Sequence, residues 1–182
     1  MTYSHTDAQD YETVPRGQAL FSLRLTLNGK AVEVECEPDT RLLGLLREHW
    51  YLSGAKPGCE VGRCGACTVW LDGAPVNACL LMAYQVQGRD VRTIESVAAD
   101  LRSEPVRDAL AQCGGVQCGY CTAGVVMTMT YLYGQEPRPD VREASVLMCG
   151  NLCRCTGYGG IRRAVQSLFA DAECGEQEEA SR

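Results

Sequence analysis

The chain is 182 residues long and carries twelve cysteines, eight of which fall into two groups whose spacing limits how it can fold. Cys59, Cys64 and Cys67 make C-x4-C-x2-C in the stretch GCEVGRCGAC, and Cys79 follows after eleven further residues. The second group joins Cys118 and Cys121, in QCGYC, to the distant Cys153 and Cys155 in NLCRCTGYGG. Side chains two positions apart on a helix point to nearly opposite faces, so Cys153 and Cys155 converge only on a loop or extended segment. Each group therefore asks for a loop held in shape by what its thiols bind.

The remaining composition narrows what that is. The N-terminus, MTYSHTDAQDYETVPRGQ, shows neither a basic start followed by an apolar run nor a twin-arginine pair, so the expected compartment is the cytoplasm. A reducing cytoplasm disfavours disulfides and favours metal binding or redox chemistry for cysteines. A formal charge of -6 argues against a nucleic-acid partner, which calls for a basic stripe. The longest apolar run, AGVVMTMTYLYG, is about a dozen residues against the roughly 20 needed to span a bilayer, and reads as a core helix.

The first spacing is that of plant-type ferredoxins, which hold a 2Fe-2S cluster with four thiolates, two to each iron. Gly58, Gly62 and Gly65 let the loop wrap closely and turn backbone N–H groups toward the sulfurs. In the second group each cysteine pair precedes a predicted helix, 122 to 133 and about 159 to 170, which would aim two positive dipole ends at the site. Zinc ribbons pair cysteines as C-x2-C, a habit that neither C-x4-C-x2-C nor C-x-C follows. A Rieske centre needs two histidine ligands, whereas the chain has only His5, in a polar stretch, and His49, in a predicted helix. Cys36, Cys113, Cys149 and Cys174 stand outside both groups and read as thiols packed like small hydrophobes.

Periodicity assigns one domain to each group. FSLRLTLN alternates apolar and polar residues, Asn28-Gly29 supplies a hairpin turn, and AVEVEC returns with the same alternation. TRLLGLLREHW places Leu42, Leu43, Leu45 and Leu46 at helical spacing after Thr40 as N-cap. CTVWLDG and RDVRTIE read as further strands, with Asp72-Gly73 as a second hairpin turn. From about residue 96 the pattern turns helical, near 104 to 113, 122 to 133, 141 to 149 and 160 to 170, with Asp140 and Glu143 as a capping box on the third. The expected fold is α+β: a helix across a small mixed sheet in residues 20–95, then a four-helix bundle in 96–170. Residues 1–19 and the acidic 171–182 are expected to be mobile tails.

LSGAKPGCEVGRCGACTVWLDG, GGVQCGYCTAG and GNLCRCTGY together resemble the three signatures of the small iron-sulfur subunit of the xanthine oxidase family of molybdenum hydroxylases, over roughly residues 20 to 170. The resemblance implies a plant-type ferredoxin-like beta-grasp domain followed by an all-α four-helix-bundle domain, each with one 2Fe-2S cluster. It implies a molybdopterin-binding large subunit and usually an FAD-binding medium subunit as partners. No dinucleotide-binding G-x-G-x-x-G occurs in this chain itself. It further implies that the cluster on Cys118, Cys121, Cys153 and Cys155 lies next to the pterin, and that the one on Cys59, Cys64, Cys67 and Cys79 passes electrons on toward flavin. Gln117 would hydrogen-bond the pterin and Cys155 would touch it. No hydroxylation is expected from this chain alone.

Two positions depart from the family pattern. Ala123 stands where proline is common, and Cys149 where a small hydroxyl residue is usual; neither alters the cluster assignment. Among substrates a purine, as in xanthine dehydrogenase, is the first expectation. Aldehydes, other N-heteroaromatics, carbon monoxide, or a free-standing two-cluster ferredoxin are the alternatives. Iron and acid-labile sulfide analysis of the purified chain is expected to give about four of each, as two 2Fe-2S clusters require. Zinc without sulfide is the opposite result.

Overall fold

The structure, a computed structural model, describes residues 20–170; the expected mobile tails and Cys174 lie outside them. Strand β1 (Phe21–Leu27) turns back into β2 (Lys30–Cys36) through Asn28 and Gly29, both at positive φ, 52° and 79°. Two such residues match the right-handed twist of the flanking strands. The register is tight, Leu27 opposite Lys30 and Phe21 opposite Cys36. Asp72 and Gly73, at 48° and 83°, make the same turn between β3 (Thr68–Leu71) and β4 (Ala74–Asn77).

β5 (Asp90–Arg92) runs parallel to β1 and antiparallel to β3, which closes a mixed sheet in the order β2-β1-β5-β3-β4. It is shorter than RDVRTIE suggests, because Thr93 breaks the strand and Ile94–Val97 already forms a helix, α2. β4 carries no strand signal in the sequence because of Pro75, yet it lies at the sheet edge, where a missing N–H is tolerated.

The helix laid across the sheet also differs from expectation. Thr40 is not its N-cap: Arg41 holds that position without a side-chain cap bond, α1 (Leu42–Gly44) is a single turn, and Leu45–His49 continues as a π turn. The Trp50 N–H donates to the Leu45 carbonyl, and this wider winding keeps Leu42, Leu43, Leu45 and Leu46 all buried on the sheet. Burying each contributes about 1.5 to 3 kcal/mol.

The second half places α3 (Glu104–Gln112), α4 (Thr122–Tyr133), α5 (Val141–Leu147) and α6 (Gly159–Phe169) around a core of Val106, Leu110, Val125, Met129, Ile161 and Phe169. The capping box is present, Asp140 accepting from the Glu143 N–H and Glu143 from the Asp140 N–H. α5 stops two residues before the expected end and passes into a 3-10 turn, Met148–Gly150.

α4 is the element that joins the halves. It is buried almost all round, and its Met127 carbonyl accepts a hydrogen bond from the Trp70 indole of β3 at 3.1 Å. Trp70, Val97 and Met127 form a small core of their own, so α2, which begins before the boundary expected at residue 96, packs on both halves. At Gly124 a Cβ would lie 2.0 Å from the Gly65 carbonyl oxygen, a backbone atom that has no room to retreat. Gly124→Ala is therefore expected to destabilise the fold by about 1 to 3 kcal/mol through overpacking, read as a lowered denaturant midpoint.

Candidate metal centres

Cys59 and Cys64 sit on a glycine-rich loop between α1 and β3, Cys67 immediately before β3, and Cys79 just after β4. The hairpin β3-β4 brings Cys67 and Cys79 to one end of the sheet, where both are buried. The loop folds back on itself so that the Arg63 N–H donates to the Cys59 sulfur at 3.1 Å and the Cys59 N–H to the Cys64 sulfur at 3.4 Å. A Cβ on Gly58 would stand 2.7 Å from the Cys64 sulfur, so only glycine leaves the sulfur its place. The Cys64 thiol lies beside Cys59, and Cys67 lies near both Cys79 and Cys64.

The second set is assembled from the ends of two helices. Cys121 is the N-cap of α4, with Cys118 three residues before it, while Cys153 and Cys155 lie on the loop leading into α6. The Cys118 and Cys155 sulfurs are 3.4 Å apart, and Cys121 pairs with Cys153. Cys153 is 7% exposed, whereas Cys118 and Cys155 face solvent. Gln117 is exposed beside Cys118 and makes no side-chain hydrogen bond with the described residues. Outside the sets, Cys36 is buried in the sheet core and Cys113 packs partly buried against the helical core, while Cys149 is exposed, contrary to its reading as a packed hydrophobe.

Electrostatics of the two sets follow from these surroundings. The Val61 and Arg63 backbone N–H groups draw the Cys59 thiol down to about 6. Burial pushes Cys67 up to about 12, and burial together with the neighbouring Cys153 pushes Cys121 up to about 11. Burial also opposes ionisation of Cys153, but the Thr156 hydroxyl and the N–H groups of Thr156 and Cys155 outweigh it and bring the thiol to about 7. In each set a thiol primed to ionise is thus paired or grouped with buried thiols that give up their protons only to a strong positive charge. That mixture suits thiolate ligation of iron.

One cavity of about 190 Å³ is lined by Cys59 and Cys64 of the first set together with Cys118, Cys121, Cys153 and Cys155 of the second. The Leu152 N–H donates to the Cys64 carbonyl at 2.9 Å, so one backbone hydrogen bond connects the residue next to Cys153 with a cysteine of the first set. Asn151, buried, leans on the Gly65 carbonyl at 3.5 Å. The Tyr120 hydroxyl, beside Cys121, donates to the Pro57 carbonyl, two residues from Cys59. Sequence reasoning missed Leu152, Asn151 and Tyr120. Leu152 acts through its backbone and leaves no side-chain signal, while Tyr120 was legible only as the spacer inside C-G-Y-C.

A glycine-wrapped ferredoxin-type loop on a beta-grasp sheet, joined to four thiols at the ends of bundle helices, defines an iron-sulfur protein with two centres. The sequence profile of a 2Fe-2S iron-sulfur cluster binding domain matches residues 25–87, and that of a 2Fe-2S binding domain matches residues 93–166. The chain is 41% identical to a probable xanthine dehydrogenase subunit from Bacillus subtilis, over 85% of this chain and 89% of that one. It is 44% identical to the nicotinate dehydrogenase small FeS subunit of Eubacterium barkeri, over 80% and 93% of the two chains. Its fold superposes on a chain of quinoline 2-oxidoreductase from Pseudomonas putida 86 with a TM-score of 0.74 and 38% identity, covering 86% and 98%. The chain belongs to the family of small 2Fe-2S subunits of molybdenum hydroxylases related to xanthine dehydrogenase, and is a subunit of a molybdenum-dependent oxidoreductase. Among the described residues no helix is long and apolar enough to cross a membrane.

The grouping of the thiols generates a direct expectation. Cys64→Ser should remove one of two low-temperature EPR signals of the reduced protein and leave the other nearly unchanged, and Cys121→Ser should do the reverse. Loss of both signals from either folded variant would mean that the eight cysteines divide differently.

Proposed function

We propose that this chain is the electron conduit of a xanthine dehydrogenase-like purine hydroxylase, accepting reducing equivalents from molybdopterin on a large subunit and delivering them toward FAD on a medium subunit. When bound, the two clusters supply one-electron carriers. Cys118, Cys121, Cys153 and Cys155 would hold the entry cluster and Cys59, Cys64, Cys67 and Cys79 the exit cluster. The closeness of the Cys118 and Cys155 sulfurs, 3.4 Å, supports their sharing one of these clusters.

The observation that carries this reading is the Leu152 N–H to Cys64 carbonyl hydrogen bond. It makes a short through-bond connection from a residue adjoining the entry set to a residue of the exit set, so the chain needs no further group between its centres. Residues 20–95 and 96–170 act as the two carriers. The exposure of Cys155 and Gln117 leaves both available to a pterin held by a partner. The relatives above are named for xanthine, nicotinate and quinoline, all nitrogen-containing aromatic rings, and the xanthine dehydrogenase subunit among them supports a purine within that class.

Purification of the chain from its native host tests the assembly: a large subunit with molybdenum and a medium subunit with FAD are expected to accompany it, and xanthine to reduce the complex. Gln117→Ala should leave both clusters in place and slow their reduction after substrate addition, since losing a hydrogen bond to a buried pterin group costs roughly 1 to 3 kcal/mol. Rapid-mixing absorbance reads that rate, and an unchanged rate in the assembled variant refutes the role of Gln117.

A further inference from the structure

The loop that carries Cys153 closes on itself through three hydrogen bonds. The Cys153 N–H donates to the Tyr158 hydroxyl at 2.9 Å, the Tyr158 N–H donates to the Thr156 hydroxyl oxygen at 3.2 Å, and the Thr156 hydroxyl donates to the Cys153 sulfur at 3.1 Å. The middle bond decides the direction of the third. A hydroxyl has one hydrogen, and with an N–H already on its oxygen the hydrogen is left for the sulfur. Tyr158 reaches back in this way because it sits in the left-handed region, φ 64°, immediately before α6.

The surroundings give this contact weight. Cys153 is 7% exposed, whereas Cys155, two residues on, is exposed and has Cys118 as its neighbour. In the first set the sulfurs of Cys59 and Cys64 receive backbone N–H donors, which any residue provides. Cys153 also has the Thr156 and Cys155 N–H groups near it, but one of its donors is a side chain, set by residue type at one position. A hydrogen bond to a ligand sulfur stabilises the more negative, reduced state of a centre and so raises its potential.

We propose that Thr156 is a positioning residue whose hydroxyl, held by the Tyr158 N–H and aimed at the buried sulfur of Cys153, raises the reduction potential of the second 2Fe-2S centre and so favours electron entry. This rests on Cys153 being a ligand of that centre. One electron arrives from the molybdopterin-bearing partner and leaves toward the first set; the hydroxyl keeps its hydrogen throughout and no bond to Thr156 forms or breaks. Because Cys153 adjoins Leu152, whose N–H meets the Cys64 carbonyl, the donor acts on the side of the centre that faces the exit.

The test is an EPR-monitored redox titration of the assembled complex carrying Thr156→Val or Thr156→Ser. Thr156→Val keeps the shape and removes the donor. It is expected to retain iron and sulfide and to lower the potential of the second centre alone, shifting the electron-sharing equilibrium between the two centres about three- to tenfold toward the first, tenfold being 59 mV for one electron. Thr156→Ser restores the hydroxyl and should return the potential most of the way. Equal potentials in wild type and a Thr156→Val protein with both clusters present overturn the proposal while leaving the ligand assignment standing. Full retention of the second EPR signal in a Cys153→Ala complex overturns the ligand assignment itself. Should Thr156→Val lose the second cluster, Thr156→Ala is compared with Thr156→Ser. A lower potential in the alanine protein supports the proposal. Equal potentials in these two proteins, or a cluster held only by the serine protein, overturn it, the latter because the hydroxyl then serves to hold the ligand rather than to tune the centre.

Discussion

A single backbone hydrogen bond, from Leu152 to the carbonyl of Cys64, joins two loops that lie far apart in the chain, and much of the molecule serves to keep them in register. Close approach is the governing constraint. At Gly65, φ +67°, a Cβ would lie 2.6 Å from the Gly150 carbonyl oxygen, and at Gly124 a Cβ would meet the Gly65 oxygen, so both sides of the contact exclude side chains. The Gly65 carbonyl is in turn bonded by the Thr68 hydroxyl at 2.7 Å and approached by Asn151, which satisfies a polar group that burial would otherwise leave costly.

The contact is held from a distance by ordinary packing. Leucines of α1 and the π turn after it pack on the sheet whose end carries Cys67 and Cys79, and the Trp70 indole ties the sheet to the middle of α4, whose N-cap is Cys121. A shift of α4 along its axis would move Cys121 away from Cys153 and Gly124 off Gly65, beside the Leu152 bond, so the site and the seam depend on the same helix position. Trp70, Val97 and Met127 are all nearly inaccessible, which makes such a shift a core rearrangement rather than a loop adjustment.

Charge sets the second requirement. Thiolates gathered around iron would carry net negative charge into a partly buried place, and the chain has donors already built into its loops: N–H groups aimed at Cys59 and Cys64, the Thr156 hydroxyl at Cys153, and the starts of α4 and α6 close behind the second set. The contrast between buried Cys153 and exposed Cys155 gives that set an inner and an outer side. The inner side lies by Leu152, which bonds to the first set; the outer side, with Gln117 beside it, faces solvent.

Much of this was legible in the residues. The cysteine spacings named two binuclear sites, Asn28-Gly29 and Asp72-Gly73 fixed two hairpins, and the limits of α3 and α4 followed within a residue from periodicity and glycine punctuation, because each is a local property of the chain. Local signals failed where tertiary contacts override them. Thr40 does not cap α1, since the π turn answers to burial of four leucines on the sheet; β4 forms around Pro75 because it lies at an edge; and α2 appears at the close of a strand-like run because Val97 finds Trp70 and Met127. The sequence by itself determined that there are two 2Fe-2S domains, and pointed to four cysteines in each. Only the tertiary structure decided that cysteines of both sets line one cavity and that a backbone bond joins their loops, since a carbonyl and an N–H so far apart in the chain become partners only when distant segments are brought together.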